Sequence, residues 1–238
     1  MLAAALSGNT KRVISALEYI QNIDFKDDQN DTALHKAVGG GHMDIVELLL
    51  QKGASTAAIN NANNTPLDLA VQCGDLSMTG LLLEKGASIE AMDADDKNTL
   101  LHLAAGNGHT NTVEVLLEKG ALMEAKAWGG KAWGHTPLHL AARSGHTSTV
   151  ELLLEKGASI QATSWIDDTP LHIAAAHGHT STVELLLRKG ALTGTRNRDG
   201  HTPLVLAVRN GHVGTAKPLI EESAKRARMA MPVQRNHS

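Results

Sequence analysis

The sequence predicts an all-α protein built from stacked pairs of short helices. Three observations support this fold class: a motif that recurs about every 33 residues, apolar positions at helical spacing within each period, and a scarcity of aromatic residues. Only five of the 238 residues are Trp, Tyr or Phe, although 42% are hydrophobic. Aromatic side chains normally supply much of a globular core, so Ala, Leu, Val and Ile must fill this one. Stacked repeats can bury such side chains against their neighbours.

The repeated motif is Thr-Pro-Leu-His or a close variant of it. It begins at Thr32, Thr65, Thr99, Thr136, Thr169 and Thr202, at spacings of 33, 34, 37, 33 and 33 residues. Threonine is a favourable N-cap, and proline fits the first helical position because its missing N–H is not needed there. A Gly-His pair follows every motif except the second, where Gly74-Asp75 takes its place. Glycine favours the left-handed turn that ends a helix, so each motif predicts a short first helix.

A second apolar block follows each of these turns and ends in Gly-Ala in most units. In the block before Gly157-Ala158, the residues Val150, Leu153 and Leu154 have the i, i+3, i+4 spacing of one helix face. The first helix of the same unit, from Leu138 to Ser144, is rich in alanine, which lets neighbouring helices approach closely. Each period therefore predicts two helices joined by a glycine turn.

These motifs resemble the ankyrin repeat over residues 1–222, nearly the whole chain. The resemblance implies a single solenoid domain of about seven helix-turn-helix units, joined by β-turn finger loops that precede each motif threonine. We place an N-terminal cap at 1–26, internal repeats at 27–59, 60–92, 93–130, 131–163 and 164–196, a C-terminal cap at 197–222 and a basic tail at 223–238. Pro218 falls inside the second helix of the last unit, where it should produce a kink.

Thirteen histidines invite a search for a metal or catalytic site. Nine of them recur at two positions of the repeat, namely the fourth motif position and the residue after the glycine turn. The ligands of one zinc ion must converge on a point, and residues one repeat apart do not. The resemblance implies that these histidines instead form structural hydrogen bonds within and between repeats.

The sequence contains no recognisable catalytic motif. The carboxylate pairs Asp27-Asp28, Asp95-Asp96 and Asp167-Asp168 are neighbours in turns, so they cannot flank a substrate as an acid and a base must. Cys73 has no triad context, and Gly129-Gly130-Lys131 lacks the other residues of a phosphate loop. We therefore expect no enzyme activity, no catalytic residue, no metal and no cofactor.

The expected function is protein–protein interaction, as an adaptor or scaffold, because ankyrin repeats are typically binding modules. The resemblance implies contacts from the fingers and from the concave side of each first helix. All three tryptophans lie in fingers, and a doubled Lys-Ala-Trp-Gly segment makes one finger four residues longer than the others. From these positions, and because Trp and Arg are enriched in interface hot spots, the predicted partner-binding residues are Trp128, Trp133, His135, Arg143, Trp165, Ile166, Asp168, His177, Arg198 and Arg209. We expect Trp133→Ala and Trp165→Ala each to weaken binding by about 1–4 kcal/mol with nearly unchanged stability.

Charge changes along the fingers. The first and third are acidic, the second is rich in asparagine, and the last carries Arg196 and Arg198, so a partner of complementary charge would be oriented. The net charge of −3 gives no general reason to expect nucleic acid or a membrane as partner. No apolar run reaches the length of a transmembrane helix, and the single cysteine indicates a reducing compartment. We expect a monomer in the cytoplasm, or in a host cytosol if the protein is a secreted effector.

Other functions stay open at the level of sequence. The chain could be a structural or targeting fragment of a larger multidomain or effector protein. It could also be an engineered repeat binder, since residues 145–160 and 178–193 are nearly identical. A metal or small-molecule site at Cys73, His135 and His177 is the least favoured alternative.

Overall fold

The described part of the chain is all-helical, which confirms the predicted fold class. The computed structural model describes residues 1–90, 98–128 and 133–230. Within these ranges fourteen helices form seven consecutive pairs. In chain order they are α1 (Leu2–Leu6), α2 (Thr10–Leu17), α3 (Ala33–Gly39), α4 (Met43–Gln51), α5 (Pro66–Cys73), α6 (Leu76–Glu84), α7 (Leu100–Gly106), α8 (Thr110–Glu118), α9 (Pro137–Ser144), α10 (Thr147–Glu155), α11 (Pro170–Ala176), α12 (Thr180–Arg188), α13 (Pro203–Arg209) and α14 (Val213–Ala230).

The chain divides into two compact units. The first comprises residues 1–122 and 128–130, and the second comprises residues 123–127 and 131–238. In the first unit α1 packs on α3, α3 on α5 and α5 on α7, while in the second α9 packs on α11 and α11 on α13. The odd-numbered helices thus stack in a row within each unit. The core between the two helix rows is filled by Leu, Val, Ile, Met and Ala, as the scarcity of rings requires.

The motif threonines begin the first helices through reciprocal hydrogen bonds. The Thr32 backbone N–H donates to Nδ1 of His35 at 3.2 Å, and the His35 backbone N–H donates to the Thr32 hydroxyl at 3.4 Å. This is a capping box, which satisfies two backbone donors that a helix start would leave open. Thr65 forms the same box with Asp68, so a carboxylate can replace the imidazole. Thr-Pro-Leu-His is therefore a helix-start signal in this protein.

The motif histidines His35, His139 and His172 also join their repeats to the next one. Because Nδ1 accepts a backbone N–H, the ring proton lies on Nε2, which donates to a carbonyl one repeat further along. Nε2 of His35 bonds to the Asn64 carbonyl at 3.0 Å, and Nε2 of His139 bonds to the Asp168 carbonyl at 2.9 Å. Val205 stands at this position in α13, and no helix pair follows α13–α14 in the described part of the chain.

The histidine after the glycine turn bonds in the opposite direction, to the preceding repeat. Its Nε2 bonds to a carbonyl at the end of the previous first helix. The pairs are His42 with Leu6, His109 with Gln72, His179 with Arg143 and His212 with Ala176, at distances between 2.8 and 3.2 Å. Each ring covers a glycine of that repeat, Gly8, Gly74, Gly145 or Gly178, where an added Cβ would lie only 2.5 to 2.7 Å away. The expectation that the recurring histidines form structural hydrogen bonds is confirmed.

The last helix is longer than its counterparts. It runs from Val213 to Ala230 and contains Pro218, so residues 223–230 of the predicted tail continue the helix. Arg226 ties this extension to the preceding repeat, because its guanidinium donates to Glu222 at 2.8 Å and to the Ala191 carbonyl at 2.9 Å. The same guanidinium lowers the pKa of Glu222. The remaining tail residues, 231–238, lie outside the described residues.

Candidate interaction surface

The fingers are tight turns that share one pair of closing backbone hydrogen bonds. In the finger before α11, the Ser164 N–H donates to the Asp168 carbonyl at 2.9 Å, and the Asp167 N–H donates to the Ser164 carbonyl at 3.1 Å. The Ser164 hydroxyl also accepts from the Asp168 N–H at 3.1 Å. The same pair closes the fingers that begin at Asp27, Asn60 and Asn197. Each of these fingers is therefore held in a fixed geometry relative to the helix that follows it.

The finger before α9 keeps this base despite its four additional residues. The Ala127 N–H donates to the His135 carbonyl, and the Gly134 N–H donates to the Ala127 carbonyl, both at 2.9 Å. Residues 128–133 lie between these closing bonds, where the finger before α11 has only Trp165 and Ile166. The additional residues thus come between the two closing bonds in the sequence and leave the base of the finger unchanged, in keeping with the small cost of extra loop length. Residues 129–132 of the doubled segment lie outside the described residues, as does the third finger at 91–97.

The three tryptophans have different surroundings. Trp133 is 57% exposed, and Trp128, which belongs to the first unit, is also exposed. Trp165 is only partly exposed, because its indole ring covers Gly134, where an added Cβ would lie 2.7 Å from the ring atoms. Its backbone N–H also donates to the Trp133 carbonyl at 3.0 Å. Trp165 therefore contributes to the packing between fingers, while Trp133 presents its ring to solvent.

Two of the predicted contact residues are buried parts of the fold. His135 is 5% exposed, and its ring stacks on His139 with centroids 5.4 Å apart. Asp168 is 7% exposed, and its Oδ1 accepts a hydrogen bond from the Asn197 amide at 2.8 Å. Burial raises the pKa of the Asp168 carboxyl. Because both side chains are enclosed within the second unit, they present no group to a partner, and we leave them out of the proposed surface.

The first helices present a narrow exposed stripe. In α9 the residues Leu140, Arg143 and Ser144 have i, i+3, i+4 spacing and are partly or fully exposed, whereas the intervening residues are buried. The corresponding residues in α11 are Ile173, which is buried, Ala176 and His177, and those in α13 are 206, 209 and 210, which are partly or fully exposed. In α11 this stripe places His177 in solvent, with its ring parallel to that of His179 at 6.2 Å.

Equivalent positions in the first unit show that this stripe lies on the finger side of the helix. Gln72 is the counterpart of Arg143, and its amide donates to Oδ1 of Asn64 at 3.1 Å. Lys36 is the counterpart of Leu140, and its ammonium lies 2.7 Å from the Asp31 carboxylate. Both acceptors belong to the finger that precedes the helix. In these two repeats the finger and the stripe therefore form one continuous surface, and we expect the same arrangement in the second unit, whose repeats have the same pair of helices and the same finger.

Hydrogen bonds join these surfaces from repeat to repeat in the second unit. Fingers are linked by the Trp165 bond to Trp133 and by the Arg198 N–H, which donates to the Ile166 carbonyl at 2.9 Å. Helix ends are linked by the bond of His179 to the Arg143 carbonyl at 2.8 Å. We give the name contact strip to the seven predicted contact residues of the second unit that are exposed or partly exposed: Trp133, Arg143, Trp165, Ile166, His177, Arg198 and Arg209. Trp128, in the other unit, is not part of it.

Sequence reasoning missed two exposed apolar residues in α13. Val205 and Val208 are both exposed, although their counterparts in α9, His139 and Ala142, are buried against α11. One signal in the sequence could have revealed them: Val205 is apolar at the motif position where the preceding repeats have histidine or aspartate.

Two kinds of feature are absent from the described residues. Among them, no group of three or more His, Cys, Asp or Glu side chains could hold a metal ion. Within the same ranges, no helix is long and apolar enough to cross a membrane.

Comparison with known proteins is consistent with the repeat geometry. The family model described as ankyrin repeats (three copies) matches residues 1–93, 91–164 and 165–229. The crystal structure of the human ASB11 ankyrin repeat domain matches with a TM-score of 0.81 and 28% sequence identity, over 92% of this chain and 96% of that one. A search of curated proteins found no match. Because the family model covers almost the whole sequence, the chain belongs to the ankyrin repeat family.

Proposed function

We propose that this protein acts as an adaptor that binds another protein through the contact strip of its second unit. Ankyrin repeats are in general protein–protein interaction modules and non-enzymatic binding folds. The observation that carries the proposal is Trp133, a large ring that is 57% exposed at the tip of a finger. An aromatic side chain can bury about 150–250 Å² on contact, and tryptophan is among the residues most enriched in interface hot spots.

The hydrogen bonding of the strip supports the same proposal. The fingers are closed at their bases and linked to one another by backbone hydrogen bonds. A partner would therefore meet side chains whose backbone is already ordered, so little conformational entropy is lost on binding. The main alternative is a spacer or targeting fragment, and such a role would not require an exposed tryptophan at position 133.

Trp133→Ala is expected to weaken partner binding by about 1–4 kcal/mol, because it removes the most exposed aromatic ring of the strip. Stability should change by less than about 0.5 kcal/mol, since the ring is largely solvated. The measurement is quantitative affinity capture from cell extract with wild type and variant, followed by titration of each captured protein that depends on Trp133.

Tyr19→Ala is the matched control for this experiment. Tyr19 is 85% exposed but lies in the first unit, at the end of α2. Its removal should leave capture unchanged if Trp133 acts specifically. Equal capture and equal affinity for wild type and Trp133→Ala would contradict the proposed site.

Trp165→Ala is expected to lower the free energy of unfolding by about 1–3 kcal/mol, unlike the near-zero change expected from sequence. The ring covers Gly134, so its truncation leaves a gap between two fingers. Urea unfolding followed by circular dichroism measures the effect. A stability equal to that of wild type would mean that the ring does not pack against Gly134 in solution.

A further inference from the structure

We propose that the partner occupies the contact strip with an extended acidic segment that also carries a bulky apolar side chain. This inference rests on the proposed function and adds the chemistry of the partner to it. Three observations carry it: the charge of the second unit, the pairing of its arginines, and the arrangement of its exposed apolar groups.

The two units differ strongly in charge. The first contains 8 Lys and Arg against 16 Asp and Glu, a net charge of −8, while the second contains 14 against 9, a net charge of +5. The overall value of −3 hides this separation. A surface of one sign attracts an oppositely charged partner and disfavours one of like charge. The second unit is therefore suited to an anionic partner.

The arginines of the contact strip are available for such a partner. Within residues 1–90, 98–128 and 133–230, Arg143, Arg198 and Arg209 form no ion pair, whereas cations elsewhere do. Two exposed carboxylates, Asp167 and Asp199, lie on the same fingers. With Arg196 included, arginines still outnumber these carboxylates by four to two, so the strip keeps a positive charge.

Helix stabilisation alone does not require these arginines. A cation in the last turn of a helix interacts favourably with the helix dipole, and Arg143 and Arg209 have that position. The counterparts of Arg143 in the first unit are Gly39, Gln72 and Gly106, which carry no charge. The helices of the first unit therefore form without a cation at this position, which points to recognition as the role of Arg143 and Arg209.

The apolar groups of the strip call for a bulky side chain on an extended segment. Trp133 and the 36% exposed Ile166 occupy equivalent positions on two consecutive fingers, beside the partly exposed Trp165 ring.

The length of the first helices sets the length of the bound segment. A first helix of seven or eight residues is about 12 Å long, so the arginines at its end lie roughly that far from the finger base. About four residues of extended peptide span this distance. Asp167 and Asp199 would repel a continuous phosphate backbone, whereas a peptide can place neutral residues against them.

The test is selection of peptides from a random linear library displayed on phage, using the full chain. We expect the selected peptides to be enriched in Asp and Glu together with Phe, Leu or Trp. A synthetic peptide from this pool should bind the double variant Arg143→Glu/Arg209→Glu about tenfold or more weakly, and its affinity for wild type should fall as salt concentration rises. The double variant Lys217→Glu/Arg228→Glu is the control, because it makes the same total charge change at two exposed positions of α14 outside the strip and should leave binding unchanged.

The alternative outcomes separate this inference from the proposed function. Selected peptides that are apolar without acidic enrichment, and that lose binding in Trp133→Ala, would overturn the inference and leave the proposed function standing. The same peptides selected by wild type and by the arginine variant would also overturn it. Binding of a labelled single-stranded oligonucleotide that is lost in the arginine variant, with no peptide enrichment, would identify a nucleic acid instead. No enrichment and no Trp133-dependent capture would overturn both proposals.

Discussion

Gly74→Ala is expected to lower the free energy of unfolding by about 3 kcal/mol, against about 1 kcal/mol for Gly41→Ala. Both glycines follow a first helix and have φ of 70°, a conformation that costs alanine about 1–2 kcal/mol. They differ in what covers them. An added Cβ at Gly74 would lie 2.5 Å from the His109 ring, whereas at Gly41 it would meet nothing within 4 Å. Overpacking at such a contact costs about 1–3 kcal/mol more.

Urea unfolding of both variants measures the difference, and a double-mutant cycle assigns its cause. In a His109→Ala background the ring is absent, so Gly74→Ala should cost only the backbone term of about 1 kcal/mol. Equal costs for Gly74→Ala and Gly41→Ala in the native background would show that the histidine ring does not pack on the glycine of the preceding repeat.

Acidification from neutral pH is expected to lower the free energy of unfolding. Burial lowers the pKa of His35 and of His172 below the ordinary value of 6.5. As pH falls through 6.5 the unfolded chain gains protons that the folded chain does not, so the folded state loses relative stability. The loss ends once pH is below the folded-state pKa. Protonation would also remove Nδ1 as the acceptor of the motif threonine N–H and open the capping box.

Chemical unfolding at a series of pH values measures this dependence. In the double variant His35→Gln/His172→Gln, the free energy of unfolding should depend less on pH below 6.5, because glutamine does not titrate. His177→Gln removes an exposed histidine and serves as the control. A double variant with the pH dependence of wild type would contradict the assignment of this effect to His35 and His172.

Asp168 has the opposite effect on stability at lower pH. Its pKa is raised in the folded state, so protonation of this carboxyl favours folding.

The helix pairs could be predicted from sequence because their signals act over a few residues. The capping box of Thr32 and His35 spans three residues, and the glycine turn that follows is set by backbone conformation alone. The capping box recurs at the start of α3, α5, α7, α9 and α11, so the period and the six motifs together predict twelve of the fourteen helices without any long-range information. The substitution of Asp68 for histidine leaves the helix start intact for the same reason.

The candidate surface could be predicted only in part. Trp133 and Trp165 both lie in fingers, three and four residues before the motif threonine, and this local difference does not reveal which ring is exposed. Trp165 is partly enclosed because Gly134, in the preceding finger, leaves room for its ring. His135 is enclosed in part by the His139 ring, which stacks on it from four residues further along the chain. Exposure thus depends on which residue the neighbouring element places opposite each side chain.

The repeat, the family and the starts of the first helices at the motif threonines follow from the sequence alone, which also contains no recognisable catalytic motif. Only the structure shows which finger residues reach solvent and which of them hold neighbouring fingers together. It also shows that the stripes of α3 and α5 lie on the finger side, through contacts such as that of Gln72 with Asn64. The physical reason is that helix caps and turns are local, whereas the burial of a finger side chain depends on contacts with residues about one repeat away.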